Sequence, residues 1–353
     1  MGPTASLLVL RCAVFGVLLS EFQFESALPV LTIAIPTVNR LSLLKRALAS
    51  ALAQTAPVEI ILSDNGSTDG TETYLASLDC PANLRLFRHT RTMPVQRHGA
   101  FLLAQARTEW VVFLSDDDYL ERGFAAGVLK AIQRTPDVAL VYTGCDMVFG
   151  DVAVPAKIGP ASEAAADFFY EFMNGNRNIC MCATAFRVDD RRSIGHQPDS
   201  CLIGDMYYWT RILARGGMVA CAGERLSNYS FYRPGLATET NRISVMAWSR
   251  ESMQLAALMC EYIYSAPGFS WSRVEVERAR AKFLALTTSN QFVWNALRGA
   301  SKLDLARSFA LLARLVFRDV SAPARAMAAL MLPRSLLERL LLALARRRAI
   351  AGR

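Results

Sequence analysis

The chain contains no Cys-x-x-Cys pair: its 8 cysteines lie at positions 12, 80, 145, 180, 182, 201, 221 and 260, and only Cys180 and Cys182 are near neighbours. That scatter argues against a disulfide framework and against the tight, paired ligand spacing of a zinc site; it reads as reduced, buried thiols. No Gly-x-Gly-x-x-Gly turn follows the first strand-like run and no P-loop is present, which disfavours a conventional dinucleotide fold and a P-loop nucleotidase. No apolar run reaches the roughly 20 residues that span a bilayer. The apolar stretch from Ala5 to Ser20 is interrupted by Arg11 and lacks a basic leader, so it reads as an early start or a docked helix in preference to a signal peptide or anchor. There is neither an internal repeat nor a low-complexity tract, and with 52% hydrophobic residues disorder is not the default.

What is present is a chain of 353 residues, long enough for one large domain and a smaller appendage. From Leu31 onward, short β-branched and apolar runs alternate with helical patterns, the signature of a parallel sheet covered by helices. Strands are expected at Leu31 to Ile35, Glu59 to Leu62, Leu84 to Phe87, Trp110 to Leu114 and Val138 to Tyr142. Helices are expected at Leu41 to Gln54, Gly70 to Leu78, Val95 to Arg107 and Gly123 to Arg134. The continuous apolar runs Ile60-Ile61-Leu62 and Val111-Val112-Phe113-Leu114 suit strands covered on both faces. After about residue 150 the periodicity weakens; a helix is expected near Asp205, and from Asn241 onward the pattern is almost wholly helical.

Ligands of such sheets bind beyond the carboxyl ends of the strands, and the residues there are polar and acidic. Pro36-Thr37-Val38-Asn39-Arg40 follows the first strand, Ser63-Asp64-Asn65-Gly66 the second, and Ser115-Asp116-Asp117-Asp118 the fourth. Asp64 could accept hydrogen bonds from a nucleobase or ribose, although this loop is also ordinary turn chemistry, with Thr68 or Asp69 as a helix cap. Three successive acids after a buried strand repel one another unless a cation compensates, and hard ions such as magnesium bridge carboxylates to a diphosphate. The bland alternative is a solvated acidic turn.

The segments Ile35 to Arg40, Glu59 to Thr71 and Trp110 to Leu120 resemble glycosyltransferase family 2, over roughly residues 30 to 235. The resemblance implies a GT-A fold, a Rossmann-like α/β architecture with a mostly parallel sheet flanked by helices and an α-helical C-terminal extension. It divides the chain into an N-terminal extension (1–28), a catalytic domain (29–240) and a helical region with a basic amphipathic tail (241–353). It implies a nucleotide held by Pro36, Thr37, Asn39, Arg40, Asp64 and Asn65, with Asp116 near ribose or metal. It also implies a Mg2+ or Mn2+ ion on Asp117, with Asp116 and Asp118 beside it. Gly204-Asp205-Met206-Tyr207-Tyr208-Trp209-Thr210-Arg211 is similar to the family's Glu-Asp stretch, which makes Asp205 the general base; its alternative is a helix cap. Arg97 is a weak diphosphate candidate beside its plainer reading as a surface arginine. Tyr232-Arg233-Pro234-Gly235 resembles the loop that closes over the donor. The chain departs from the family pattern at Val38, Thr108, Ser115 and Gly204.

The expected activity is sugar transfer from a nucleoside-diphosphate sugar to a hydroxyl of a saccharide or lipid-linked saccharide, inverting and metal-dependent, in cell-envelope or surface polysaccharide assembly. A nucleotidyltransferase is the rival enzyme, but it calls for a Gly-rich basic loop after the first strand. A non-catalytic protein binding membrane or nucleic acid is the rival from another class. Residues 271–353 hold 16 Lys plus Arg against 5 Asp plus Glu. Leu336, Leu337, Leu340, Leu341 and Leu344 fall on one stripe flanked by Arg334, Arg339 and Arg346-Arg347-Arg348, the pattern of an interfacial helix. A cytoplasmic protein is expected, peripheral at the inner face of the membrane, with no nucleic acid partner.

Overall fold

The structure, a computed structural model, describes residues 29–195, 197–232, 244–268, 270–297, 299–316, 326–327 and 330–351. The N-terminal extension and Arg233, Pro234 and Gly235 of the expected donor loop lie outside them. The first elements are β1 (Leu31–Thr37), α1 (Leu41–Leu52), β2 (Val58–Asp64), α2 (Thr71–Ala76), β3 (Leu84–Arg88), α3 (Val95–Gln105), β4 (Trp110–Phe113), β5 (Tyr119–Leu120) and α4 (Phe124–Arg134). Apart from the two-residue β5, each was expected, with ends that agree to within two residues.

The following strands are β6 (Val138–Phe149), β7 (Val152–Pro155), β8 (Ser162–Ala164), β9 (Thr184–Arg187) and β10 (Met218–Tyr232). The sheet runs β3-β2-β1-β4-β9-β6-β10-β5, with β7 on β6 and β8 on β10. β3, β2, β1 and β4 are parallel, as their apolar runs require. β9 then runs antiparallel to both β4 and β6, while β10 is parallel to β6. Of this second half only the start of β6 was expected, as Val138 to Tyr142, and that strand runs on to Phe149; β9 has only four residues, and β10 breaks its register at several points, leaving no period-2 signal.

Each face of the sheet carries its own apolar layer. Leu31, Ile33 and Ile35 pack with α1 residues Leu44 and Leu48 and α4 residues Phe124 and Val128 on one face. Ala34, Ile61, Val111 and Phe113 face the other, against α3, α5 (Ala165–Met173) and α7 (Gly204–Leu213). That second layer continues without a break into α8 (Val245–Ser265) and α9 (Arg273–Leu297) through Ala256, Met259, Phe283 and Phe292. The helices after residue 244 therefore share the core of the sheet. The last helix, α11 (Arg334–Ala351), which follows α10 (Lys302–Val316), packs on β7 and α9. It divides the expected leucine stripe: Leu337 is buried and Leu341 packs on the core, whereas Leu336, Leu340 and Leu344 are exposed. Among the described residues no helix is long and apolar enough to cross a membrane.

One buried acid ties the amino ends of the first strands together. Glu59 accepts from Thr32 Oγ1 at 2.6 Å, from Arg85 Nη1 at 2.8 Å and from the Arg107 backbone N–H at 3.0 Å. Removing the carboxylate leaves a largely buried guanidinium without its counter-charge. We expect Glu59→Ala to lose about 3 kcal/mol of stability, at the low end for breaking such a pair because Arg85 keeps some solvent; a urea midpoint within error of the unmodified protein would contradict this.

Candidate active site

β1 and β2 end side by side, with Thr37 and Asp64 as register partners, so their loops leave the sheet at the same edge. The two loops are laced together. The Asn39 N–H donates to Ser67 Oγ at 2.8 Å, Thr68 N–H donates to Asn39 Oδ1 at 2.7 Å, and Leu41 N–H at the start of α1 donates to Asp69 Oδ2 at 2.9 Å. Asp69 also accepts from the N–H and Oγ1 of Thr71, so one carboxylate caps α1 and α2. Gly66 sits at φ +79 with its missing Cβ 3.1 Å from the backbone of Arg91 and Thr92, a place only glycine fills without strain.

Asp64 is fully buried. Its Oδ1 accepts from Ser67 N–H at 2.9 Å and Ser67 Oγ at 2.5 Å, and its Oδ2 pairs with Arg88 Nε at 3.3 Å. Asn65 uses its amide twice on the Met93 backbone, at 2.9 and 3.0 Å, pinning the loop after β3. Pro36 is half-buried at the end of β1 and Asn39 is exposed at the rim.

The acids after β4 are sent to different partners. Asp116, buried, accepts from Thr37 Oγ1 at 2.8 Å and from Arg40 Nη1 at 3.1 Å; the same Arg40 atom reaches Asp117 Oδ2 at 3.3 Å. Burial raises the Asp116 pKa, opposed by Arg40 and the Thr37 hydrogen bond. Burial works against the Arg40 charge, yet Asp116 and Asp117 hold its pKa above the usual arginine value. The Asp117 side chain is 32% exposed, the most open carboxylate of the three. Its carbonyl is fixed from behind by Arg46 and Ser230. Asp118 turns into the protein: Oδ1 accepts from Ser230 N–H at 2.8 Å, and Oδ2 is buried without a hydrogen-bond partner. Its pKa is raised well above the ordinary value by burial and then by Asp117.

Asp205 lies in the first turn of α7, half-buried, its Oδ1 accepting from the Met206 N–H at 2.8 Å. Burial raises its pKa. Burial, and then the charges of Asp118, Asp205, Cys180 and Asp117, raise the pKa of the Tyr229 hydroxyl on β10. A Cβ at Gly204 would stand 2.6 Å from Gln197 Nε2, the far end of a flexible side chain that can move aside, so packing alone does not require the glycine. Thr37, Arg40, Asp116 and Asp117 thus form one contact group with Asp64 beside it, and Asp205 approaches from α7. Arg97, in the first turn of α3, has a side chain 69% exposed and paired with Asp199 at 2.7 Å, while its neighbour His98 is buried against Ser63 Oγ at 2.8 Å.

Several residues that shape this edge left no local signal. Arg46 of α1 stacks on Tyr119, 4.2 Å from its ring centre, while holding the Asp117 carbonyl. Glu251 of α8 accepts from the N–H groups of Leu202 and Ile203 at 2.9 and 3.1 Å, fixing the approach to Asp205 from a helix far along the chain. Cys145, Cys180, Cys182, Cys221 and Cys260 are buried free thiols, as the sequence suggests, and Cys145, distant in the chain, lies with its sulfur within 4.8 Å of those of Cys180 and Cys182.

The sequence profile of Glycosyl transferase family 2 matches residues 32–194, which takes in β1 to α6 (Val188–Ile194) and stops short of Asp205. No curated protein matches the sequence. Among solved structures, the chain is similar to S. aureus TarS 1-349 in complex with UDP-GlcNAc, at TM-score 0.58 and 14% identity over 89% of this chain and 92% of that one. It is also similar to the mannosyltransferase PcManGT from Pyrobaculum calidifontis in complex with GDP-Man and Mn2+, at TM-score 0.52 and 18% identity over 92% of this chain and 86% of that one. At such identities the structural likeness establishes the GT-A fold, and the profile places residues 32–194 in the family. Residues 32–194 are a family 2 glycosyltransferase domain, and the chain is a glycosyltransferase.

Proposed function

We propose that the protein transfers a sugar, with inversion, from a nucleoside-diphosphate sugar to the hydroxyl of a saccharide or lipid-linked saccharide in cell-envelope or surface polysaccharide assembly. The observation that carries the donor assignment is the Thr37–Asp116–Arg40–Asp117 contact group at the carboxyl edge of β1 and β4. The nucleoside lies over the loops after β1 and β2, with Thr37 and Asp64 as its polar floor and Asn39 at the rim. Arg40 is the cation nearest the acid pair, placed to meet diphosphate oxygens as well as carboxylates.

Asp116 and Asp117 offer hard oxygen ligands at a solvent-reached edge, a donor set suited to Mg2+ or Mn2+ and common for metal–diphosphate sites. In our reading Asp117 is the principal ligand with Asp116 beside it. When bound, the ion neutralises charge on the departing diphosphate.

Asp205 acts as the general base. The acceptor oxygen forms its bond to the anomeric carbon as the bond from that carbon to the diphosphate oxygen breaks. The hydroxyl proton passes to the Asp205 carboxylate, and the nucleoside diphosphate leaves with the electron pair. A raised pKa makes Asp205 a stronger base than an exposed aspartate, and only its ionised form accepts the proton. Arg334, Arg339, Arg346, Arg347 and Arg348 surround the exposed Leu336, Leu340 and Leu344 of α11, and this supports docking at an anionic membrane surface.

We expect UDP-GlcNAc or GDP-mannose, the donors bound by the two similar structures, to head a panel in which one nucleotide sugar raises the melting temperature only with Mg2+ or Mn2+. A folded protein stabilised by none of a broad panel would overturn the donor assignment. Asp205→Asn should lower kcat by about 10²–10⁴-fold while donor affinity holds, and Asp117→Asn should abolish the metal effect. For the unmodified enzyme, kcat/KM should fall on acidification through a limb above 3.8, the ordinary aspartate value; a rate flat through that range refutes Asp205 as base. In flotation assays the full chain should bind vesicles containing anionic lipid, and replacing Arg346, Arg347 and Arg348 by Glu should release it; equal binding by both proteins removes the membrane role.

A further inference from the structure

Behind the acid loop lies a polar cluster that sugar transfer does not use. Cys145 comes from β6, Cys180 caps the short 3-10 turn before β9, and Cys182 lies within that turn. All three are buried, at 1%, 7% and 0% exposure. The sulfurs of Cys145 and Cys180 are 3.1 Å apart and those of Cys180 and Cys182 are 3.7 Å apart. Thiolates on one zinc ion at about 2.3 Å stand about 3.8 Å apart at tetrahedral angles. Among the described residues this is the only group of three or more His, Cys, Asp or Glu side chains compact enough to hold a metal ion.

A second, independent observation concerns the fourth ligand. Asp118 Oδ2 is buried without a hydrogen-bond partner, although Asp118 Oδ1 is satisfied by the Ser230 N–H. The Cys182 thiol lies beside this carboxylate. Three buried thiols turned toward each other make an unfavourable core but supply three of the four ligands of a tetrahedral zinc site, with the Asp118 carboxylate beside Cys182 next to the fourth position.

We propose that Cys145, Cys180 and Cys182 bind one structural zinc ion, with the Asp118 carboxylate turning in to complete the set, separate from the cation of the donor site. Hard ions favour all-oxygen sites, whereas three sulfurs select zinc. On binding, each group that becomes a ligand does so deprotonated, its proton leaving to solvent. The ion would join β6, the turn before β9 and the acid loop. Asp118 would thus be fixed immediately beside Asp117, with the Asp117 carbonyl held from the opposite side by Arg46 and Ser230.

The test is elemental analysis of the full-length protein, purified under reducing conditions without chelator or a metal-affinity step. One zinc per chain is expected, retained in Asp117→Asn and lost in Cys180→Ser and Cys182→Ser. Should the cysteine variants fail to fold, the unmodified protein stripped of metal and titrated with Co2+ provides the second reading. A thiolate-to-cobalt charge-transfer band saturating at one equivalent supports the site. Zinc far below stoichiometry together with no such band overturns it. So does an intact mass lower by two hydrogens that maps to a Cys145–Cys180 disulfide in the reduced preparation. Loss of zinc in Asp117→Asn would also overturn it, by assigning the ion to the donor site.

Discussion

The structure at this edge of the sheet depends on dispersing three consecutive carboxylates. Asp116, Asp117 and Asp118 follow a strand buried on both faces, and side by side in a dry turn they could not all remain charged. The chain separates them. Asp116 is drawn toward β1, where Thr37 and Arg40 meet it; Asp117 stays at the solvent edge on the same arginine; Asp118 is turned inward onto β10 and the thiols. Each direction serves a different element, so the acid turn fixes how β1, β4 and β10 sit relative to each other. The same turn presents a hard-oxygen pair outward and a single carboxylate inward.

The loops around this turn are rigid because their polar side chains bond to one another. Asn39, Ser67, Thr68 and Asp69 lace the exits of β1 and β2, while Asn65 fixes the loop after β3. Preorganisation of this kind places the ligand-facing groups before any donor arrives. On the far side, α8 and α9 complete the apolar layer beneath α5 and α7, and Glu251 carries that packing to the segment leading into Asp205. The helices after the sheet therefore help set the position of the proposed base, although they lie beyond the segment matched by the family profile.

Glycosyl transfer and the GT-A fold stand on separate supports. The fold rests on structural likeness at 14% and 18% identity, too distant to transfer substrate or linkage. The family rests on residues 32–194, whose loops carry Thr37, Arg40, Asp64, Asp116 and Asp117.

The sequence alone determined the parallel half of the sheet, because Ile60-Ile61-Leu62 and Val111-Val112-Phe113-Leu114 are covered on both faces and their helices repeat at the helical period. It also located the polar loops, since a parallel strand delivers its next residues to one known edge. Tertiary structure decided what local patterns do not encode. It reversed β9 between β4 and β6, turned three adjacent aspartates in different directions, and brought Arg46 and Glu251 to this edge from other helices. It also gathered Cys145 with Cys180 and Cys182, a meeting invisible in their spacing because proximity across a sheet depends on strand order, and strand order is a property of the whole fold.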